Sequence, residues 1–272
     1  MTGRSTCSAE LSPHVRAFYT ETLKGLGATG IPLLVGGAFA LQRYTGVERF
    51  TKDFDLYLRP VDVDRTLRAL EGLGCRTEVA FAHWLAKAYR GDLFFDLIFS
   101  SGNGLAPVDD AWFEHSEADV VLDIPVQLVP AEELIWHKAF VMERERFDGA
   151  DIAHLLRARA GRLDWERLLG RFAGPHSRVL LAHLILFGYI YPDERSCIPD
   201  EVLVTLIGRL AADAERASGV SSRPLCRGPM LSRAQYLPDL GWWGYADARL
   251  EPLGTLTAQQ IAHWTAAIDH KT

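Results

Sequence analysis

Residues 51–58 read TKDFDLYL, and this stretch decides the fold. Acidic and apolar residues alternate in it, and side chains two apart on a β-strand point to the same face of the sheet. Asp53 and Asp55 therefore project together, while the apolar residues between them point into a core. Aspartate is disfavoured in strands and like charges repel each other, so a divalent cation between the pair would remove both objections. The alternative is that Asp53 ends a loop and Asp55 is solvated on an edge strand.

Around this strand, the first half of the chain mixes helical and strand periodicities. Apolar residues recur at helical spacing in three segments, and short apolar runs bounded by turn residues predict five strands. The tight turn Arg90-Gly91-Asp92 joins two of the strands as a hairpin. The predicted helices cover 15–26, 38–44 and 63–73, and the predicted strands cover 32–35, 54–58, 85–89, 93–99 and 125–129. This order indicates a mixed β-sheet with flanking helices.

The second half of the chain is predicted to be helical. Pro130 suits the first turn of a helix, so we place a boundary between Val129 and Pro130. From residue 218 the chain is rich in Gly, Pro, Trp and Tyr, and we expect irregular structure there. The predicted helices cover 130–144, 148–160, 164–172, 177–191, 199–217 and 257–268. The fold class is therefore α+β: an α/β domain over 1–129, then a mainly helical domain over 130–272.

A third carboxylate lies in the second strand of the hairpin. Asp96 is the only polar residue in 93–99, LFFDLIF. An ionised carboxylate in such a strand is costly without a partner or a metal ion. One solution is a salt bridge to Arg90 or Arg76. The other is a metal site shared with Asp53 and Asp55, since three carboxylates would suit two magnesium ions.

Two further features are typical of a nucleotide site. Gly36-Gly37 lies where a strand turns into a helix, so the backbone can approach a ligand and the free N–H groups of the helix start favour phosphate. Lys138 falls on the apolar stripe of the helix predicted from Pro130, where a bound triphosphate would explain a lysine. The alternatives are an ordinary glycine turn and a lysine that reaches the surface.

Downstream, Asp148 and Asp151 have the spacing of a helix start. For Asp148 we favour the N-cap, and for Asp151 a role in the nucleotide site. A separate cluster of arginines in the helical half either contacts an RNA backbone or forms a solvated face, and we favour the solvated face. The cluster consists of Arg144, Arg146, Arg157, Arg159, Arg162, Arg167 and Arg171. Arginines and aromatic residues in the tail either stack on bases or pack over the helical half, and we favour packing.

Composition narrows the classes of protein. The 272 residues carry a formal net charge of −6, whereas a protein that coats nucleic acid is usually basic. The four cysteines are far apart and the nine histidines form no HExxH pattern, which argues against zinc sites and a disulfide scaffold. The first ten residues lack the apolar segment of a signal peptide, and the longest apolar run, near 180–191, is too short to span a membrane. We expect a cytoplasmic protein with no membrane partner.

Together these residues resemble the signature of the nucleotidyltransferase superfamily, which has a polymerase β-like fold. The matching features are the strand, Gly-Gly and short helix, then RFTKDFDL at 49–56, PAEELIWHK at 130–138 and RFDGADI at 146–152. The similarity is to the minimal bacterial branch with abortive-infection type toxins of toxin–antitoxin systems and antibiotic nucleotidyltransferases. It covers roughly residues 33–156.

The resemblance implies a reaction and a set of roles. Asp53, Asp55 and Asp96 would hold Mg²⁺, or Mn²⁺ in its place, and Asp96 would help to deprotonate an acceptor hydroxyl. Gly36 and Gly37 would hold the β- and γ-phosphates of an NTP such as ATP. Lys138 would contact the triphosphate, and Asp151 would complete the nucleotide site. The acceptor would attack the α-phosphate in line, and pyrophosphate would leave.

One departure and two rival functions accompany this resemblance. Many members have Gly-Ser at the cradle, where this chain has Gly36-Gly37 and then Ala38, so no side-chain hydroxyl is available to phosphate there. One rival is a glycosyltransferase, which the short stretch before Asp53 disfavours. The other is an inactive nucleotidyltransferase fold that serves as a binding or regulatory module. The acceptor stays open between a small molecule, RNA such as tRNA, and a protein hydroxyl.

Overall fold

The computed structural model describes residues 11–48, 51, 53–215 and 224–267. The chain divides into two compact units, Met1–Pro130 and Ala131–Thr272. Within the described residues, no helix is both long enough and apolar enough to cross a membrane.

The first unit is built on a seven-stranded mixed sheet. Its strands are β1 (Leu34–Val35), β2 (Phe54–Tyr57), β3 (Arg76–Phe81), β4 (Leu85–Arg90), β5 (Leu93–Ile98), β6 (Glu117–Val121) and β7 (Ile124–Leu128). They lie in the order β3-β4-β5-β2-β1-β7-β6. The pairs β2–β5 and β1–β7 are parallel, and the remaining neighbours are antiparallel. The predicted mixed sheet is confirmed.

Among the residues that the structure describes in this unit, four α-helices accompany the sheet: α1 (Pro13–Gly27), α2 (Gly37–Thr45), α3 (Val63–Gly72) and α4 (Asp110–Glu114). Helix α1 begins after Ser12, whose hydroxyl accepts a hydrogen bond from the third residue on, and proline occupies its first turn. Its buried aromatic residues join rings from α2, β2 and β5, with centroids 4.5–5.4 Å apart. The cluster consists of Phe18, Tyr19, Phe39, Phe54 and Phe95. It is the core against which the acidic strand is held.

Two strands of the sheet are absent from the sequence prediction. β3 and β6 are the two edge strands, and most of their residues are exposed or half-buried. An edge strand buries little apolar surface, so its sequence lacks the alternation that marks a half-buried strand. The predicted strand over 32–35 is also shorter in the structure, where only Leu34 and Val35 pair.

The second unit is mainly helical, as predicted. Its helices are α5 (Ala131–Ala139), α6 (Gly149–Arg159), α7 (Trp165–Arg171), α8 (Ser177–Ile190), α9 (Asp200–Glu215), α10 (Leu237–Gly241) and α11 (Ala258–Ala266). The predicted helix over 130–144 is too long, because α5 ends at Ala139 and Met142 forms a bridge with Phe147. The tail adds a small parallel pair, β8 (Leu225–Cys226) and β9 (Ala246–Asp247).

Candidate active site

The sheet brings two of the predicted carboxylates side by side. Strands β2 and β5 run parallel with Asp55 in register with Asp96. Partners in register on neighbouring strands project from the same face of the sheet. Asp53 directly precedes β2 and is half-buried. The two strands are 41 positions apart in sequence at this pair, so only their pairing makes Asp55 and Asp96 neighbours.

The charges of all three carboxylates affect the pKa of a buried tyrosine, Tyr19. Burial raises the pKa of the Tyr19 hydroxyl to about 12, and the charges of Asp53, Asp55 and Asp96 add to the effect. The Tyr19 ring packs against Phe54 at 5.0 Å and Phe95 at 5.1 Å between centroids. The three acidic groups therefore share one region of negative potential beside α1. Helical periodicity places Tyr19 only on an apolar helix face, because nothing local in the sequence links it to residues 53–96.

The two glycines at the start of α2 lie against the acidic strand. The Gly36 N–H donates a hydrogen bond of 3.0 Å to the Asp55 backbone carbonyl. A Cβ atom at Gly36 would lie 2.2 Å from the Tyr57 ring, and one at Gly37 would lie 1.7 Å from Asp55 Oδ2. Gly37 also has a φ of 54°, a value that disfavours residues with a side chain. Glycine is required here because the backbone passes directly beside the Asp55 carboxylate.

Asp96 has a cationic partner that the sequence analysis did not identify. Lys87 Nζ on β4 lies 2.5 Å from Asp96 Oδ1. The proposed partners Arg90 and Arg76 lie elsewhere: Arg90 pairs with Glu21, and Arg76 stacks over the Tyr89 ring. The predicted salt bridge of Asp96 is therefore confirmed, but its partner is Lys87 and not Arg90 or Arg76. The signal was present in the sequence, since a two-residue hairpin turn at 91–92 sets position 87 opposite position 96.

The donor set suits a hard divalent cation in its chemistry. Carboxylate oxygens are the ligands that Mg²⁺ prefers, and the absence of a side chain at Gly37 leaves room for the Asp55 carboxylate. Among the described residues, however, no group of three or more His, Cys, Asp or Glu side chains is arranged to hold a metal ion. Asp53 and Asp55 are the residues that would hold one, while Asp96 lies in its pair with Lys87. Arg49, Phe50 and Lys52 of the acidic motif lie outside the described residues.

Lys138, in the second unit, is held by two carboxylates. Its Nζ lies 3.0 Å from Asp148 Oδ2 and 2.8 Å from Asp151 Oδ2. Only 9% of Lys138 is exposed, so its side chain does not extend to the surface. The proposed contacts of Lys138 with a triphosphate and of Asp151 with a nucleotide stay predictions.

Asp148 occupies the N-cap position of α6, as expected, but its side chain makes no cap hydrogen bond. It binds Lys138 and Arg146 instead. Burial opposes ionisation of this carboxyl, but hydrogen bonds and charges from Arg146 and Lys138 prevail and lower its pKa to about 2. The preference for a side-chain cap was wrong because two cations compete successfully for the carboxylate.

The arginine cluster of the helical half is partly internal. Arg167 and Arg171 both bind Glu133, whose side chain is fully buried, and Arg167 also lies 2.7 Å from Glu132. These arginines are used in an interior network, rather than in the solvated face that the sequence suggested. In the tail, Trp242 and Trp243 are 84% and 69% exposed, so for these two the preference for packing was wrong.

No protein-family model and no curated protein matches this chain. Solved structures do show similarity. A crystal structure of ANT(2")-Ia in complex with adenylyl-2"-tobramycin is 20% identical and has a TM-score of 0.42, over 66% of this chain and 99% of that one. The lincosamide antibiotic adenylyltransferase LnuA, bound to lincomycin, is 16% identical with a TM-score of 0.38, over 53% and 96%. An antigenic nucleotidyltransferase-like protein from Paracoccidioides brasiliensis is 15% identical with a TM-score of 0.41, over 69% and 93%.

Proposed function

We propose that this chain is a metal-dependent nucleotidyltransferase that moves an NMP group from an NTP to an acceptor hydroxyl. The observation that carries the proposal is the registered pair Asp55–Asp96 on parallel strands, with the Gly36-Gly37 backbone in contact with Asp55. Phosphoryl transfer requires a cation site and a phosphate-binding site. The paired carboxylates would supply the first, and the glycine-rich start of α2 would supply the second.

Asp53 and Asp55 hold the metal ion in this proposal, with Mg²⁺ expected and Mn²⁺ as a substitute. When bound, such an ion neutralises charge on the phosphates and favours departure of pyrophosphate. In the first turn of any helix the N–H groups lack intrahelical acceptors, and in this proposal those of α2 after Gly36 bind the β- and γ-phosphates. Gly36 itself donates to the Asp55 carbonyl and so fixes the cradle against β2.

Asp96 acts on the acceptor in this proposal. The acceptor oxygen forms a bond to the α-phosphorus, the bond from that phosphorus to the bridging oxygen breaks, and pyrophosphate leaves. The Asp96 carboxylate takes the hydroxyl proton as the oxygen attacks. Asp96 projects from the same face of the sheet as Asp55, so it lies on the side where the proposed metal site would hold the reacting phosphate.

The test is transfer of labelled NMP in the presence of Mg²⁺. Each of the four NTPs is offered with tobramycin, lincomycin, tRNA and a protein lysate, which together cover the three open acceptor classes. Asp55→Asn keeps the shape of the side chain and removes its charge, and we expect it to lower transfer by about 100-fold or more. Asp64→Asn, an exposed aspartate on α3, is the matched control and should retain full transfer.

Two outcomes oppose the proposal. Absence of transfer to any acceptor, together with absence of Mg²⁺-dependent nucleotide binding, would refute it. Mg²⁺-dependent binding without transfer would favour the rival function, a nucleotide-binding module that does not catalyse.

A further inference from the structure

Three charged residues form one row across neighbouring strands of the sheet. Lys87 on β4 is in register with Asp96 on β5, and Asp96 is in register with Asp55 on β2. Registered partners share a face, so an ammonium group and two carboxylates follow one another across the same side of the sheet. The row ends at the glycine turn, where Gly36 bonds to the Asp55 carbonyl.

Lys87 is anchored by more than its ion pair. Its Nζ lies 2.5 Å from Asp96 Oδ1 and 4.4 Å from the centroid of the Phe94 ring. The Lys87 and Asp96 side chains are 23% and 15% exposed, so both are largely removed from water. A ring face attracts a cation independently of the carboxylate. The ammonium group can therefore stay over Phe94 when Asp96 turns to another cation.

We propose that Lys87 is the resident counter-cation of Asp96, and that a divalent metal ion must compete with it for that carboxylate. This inference rests on the proposed function, since it concerns the same metal site. Lys87 is a positioning residue in this scheme: it holds Asp96 on the site side of the sheet and weakens the metal affinity of the free protein.

The charges of four side chains explain why Lys87 weakens the binding of a metal ion. Asp53, Asp55 and Asp96 against Lys87 leave two negative charges, which one divalent ion neutralises. Without Lys87, three negative charges remain and Asp96 is available to the ion. Because an extra carboxylate a few ångströms from a divalent ion contributes at least one factor of ten even when it is well solvated, we expect Lys87→Met to lower the Kd for Mn²⁺ by about tenfold.

The experiment is a Mn²⁺ titration of the full chain without nucleotide, followed by the EPR signal of free Mn²⁺. The variants are wild type, Lys87→Met, Lys87→Arg and Lys24→Met. Lys87→Arg keeps the charge and should bind Mn²⁺ as wild type does. Lys24 is exposed on α1, so Lys24→Met removes the same charge from the same unit and should leave the Kd unchanged. Urea unfolding of each variant verifies that it is folded.

Asp96→Asn tests whether Lys87→Met changes the Kd for Mn²⁺ by releasing the Asp96 carboxylate. In an Asp96→Asn background, Lys87→Met should lower the Kd for Mn²⁺ by clearly less than the roughly tenfold expected with Asp96 present, because relief of direct repulsion between the Lys87 charge and the ion is then the only effect left. The double variant also removes both partners of the buried pair, so it retains folding if Lys87→Met alone does not. An unchanged Kd in folded Lys87→Met, while wild type binds Mn²⁺, would overturn this inference and leave the proposed function standing. Absence of Mn²⁺ binding by wild type would instead refute the metal site itself.

Discussion

Gly37→Ala tests the close contact between the glycine turn and the acidic strand. The new Cβ atom would lie 1.7 Å from Asp55 Oδ2, whereas real contacts of this kind stay beyond 3.0 Å. Because the other two nearest atoms also belong to the Asp55 side chain, the carboxylate itself must withdraw. The displacement needed is about 1 Å or more, and a shift of this size in the metal ligand proposed above should cost on the order of 100-fold in rate.

The same substitution also strains the backbone, and the chain contains a control for that strain. Gly46, at the end of α2, has a φ of 74° against 54° for Gly37, and a Cβ atom there would meet nothing within 4 Å. Alanine at either position therefore costs about 1 kcal/mol from the left-handed conformation. Only alanine at Gly37 displaces Asp55.

The assay compares the two alanine variants in Mg²⁺-dependent nucleotide binding, NMP transfer and urea unfolding. We expect both to lose similar stability from backbone strain, with an additional loss in Gly37→Ala from the contact. Only Gly37→Ala should lose metal-dependent binding and about 100-fold in transfer. Equal transfer by the two folded variants would refute the role of the Gly37–Asp55 contact in the site.

Two further predictions concern the second unit. The pKa of Asp148 is lowered from 3.8 to about 2, so its ionised carboxylate stabilises the fold fully above about pH 4, and this stabilisation is lost as the pH falls toward 2. Asp148→Asn should therefore remove about 2 kcal/mol of the pH dependence of the free energy of unfolding, measured by urea unfolding at a series of pH values. Glu133→Gln removes the fully buried carboxylate that Arg167 and Arg171 share, although Arg167 keeps its pair with Glu132, and it should lower the free energy of unfolding by about 3–5 kcal/mol. Glu194→Gln breaks an exposed pair with Arg157 and should leave the free energy of unfolding nearly unchanged, because water and salt screen such a pair. Equal losses in the two variants would contradict the assignment of a buried network.

The prediction succeeded where a local pattern determines the structure. Alternation in residues 54–57 places Phe54 in the core and Asp55 on the opposite face, because a strand has a period of two whatever it pairs with. Helical periodicity likewise identified the helices around Tyr19 and Leu184. It failed at the edge strands β3 and β6, where little burial leaves no pattern to read.

The sequence by itself determined that Asp55 and Asp96 lie on strands and that glycine precedes the acidic strand. Only the tertiary structure decided that Asp55 and Asp96 are neighbours and that the charges of all three carboxylates act on the Tyr19 hydroxyl. The physical reason is that periodicity tells which face a side chain occupies, whereas strand order and register tell which side chains share it. The order β3-β4-β5-β2-β1-β7-β6 comes from pairing between segments far apart in the chain, and no local pattern encodes it.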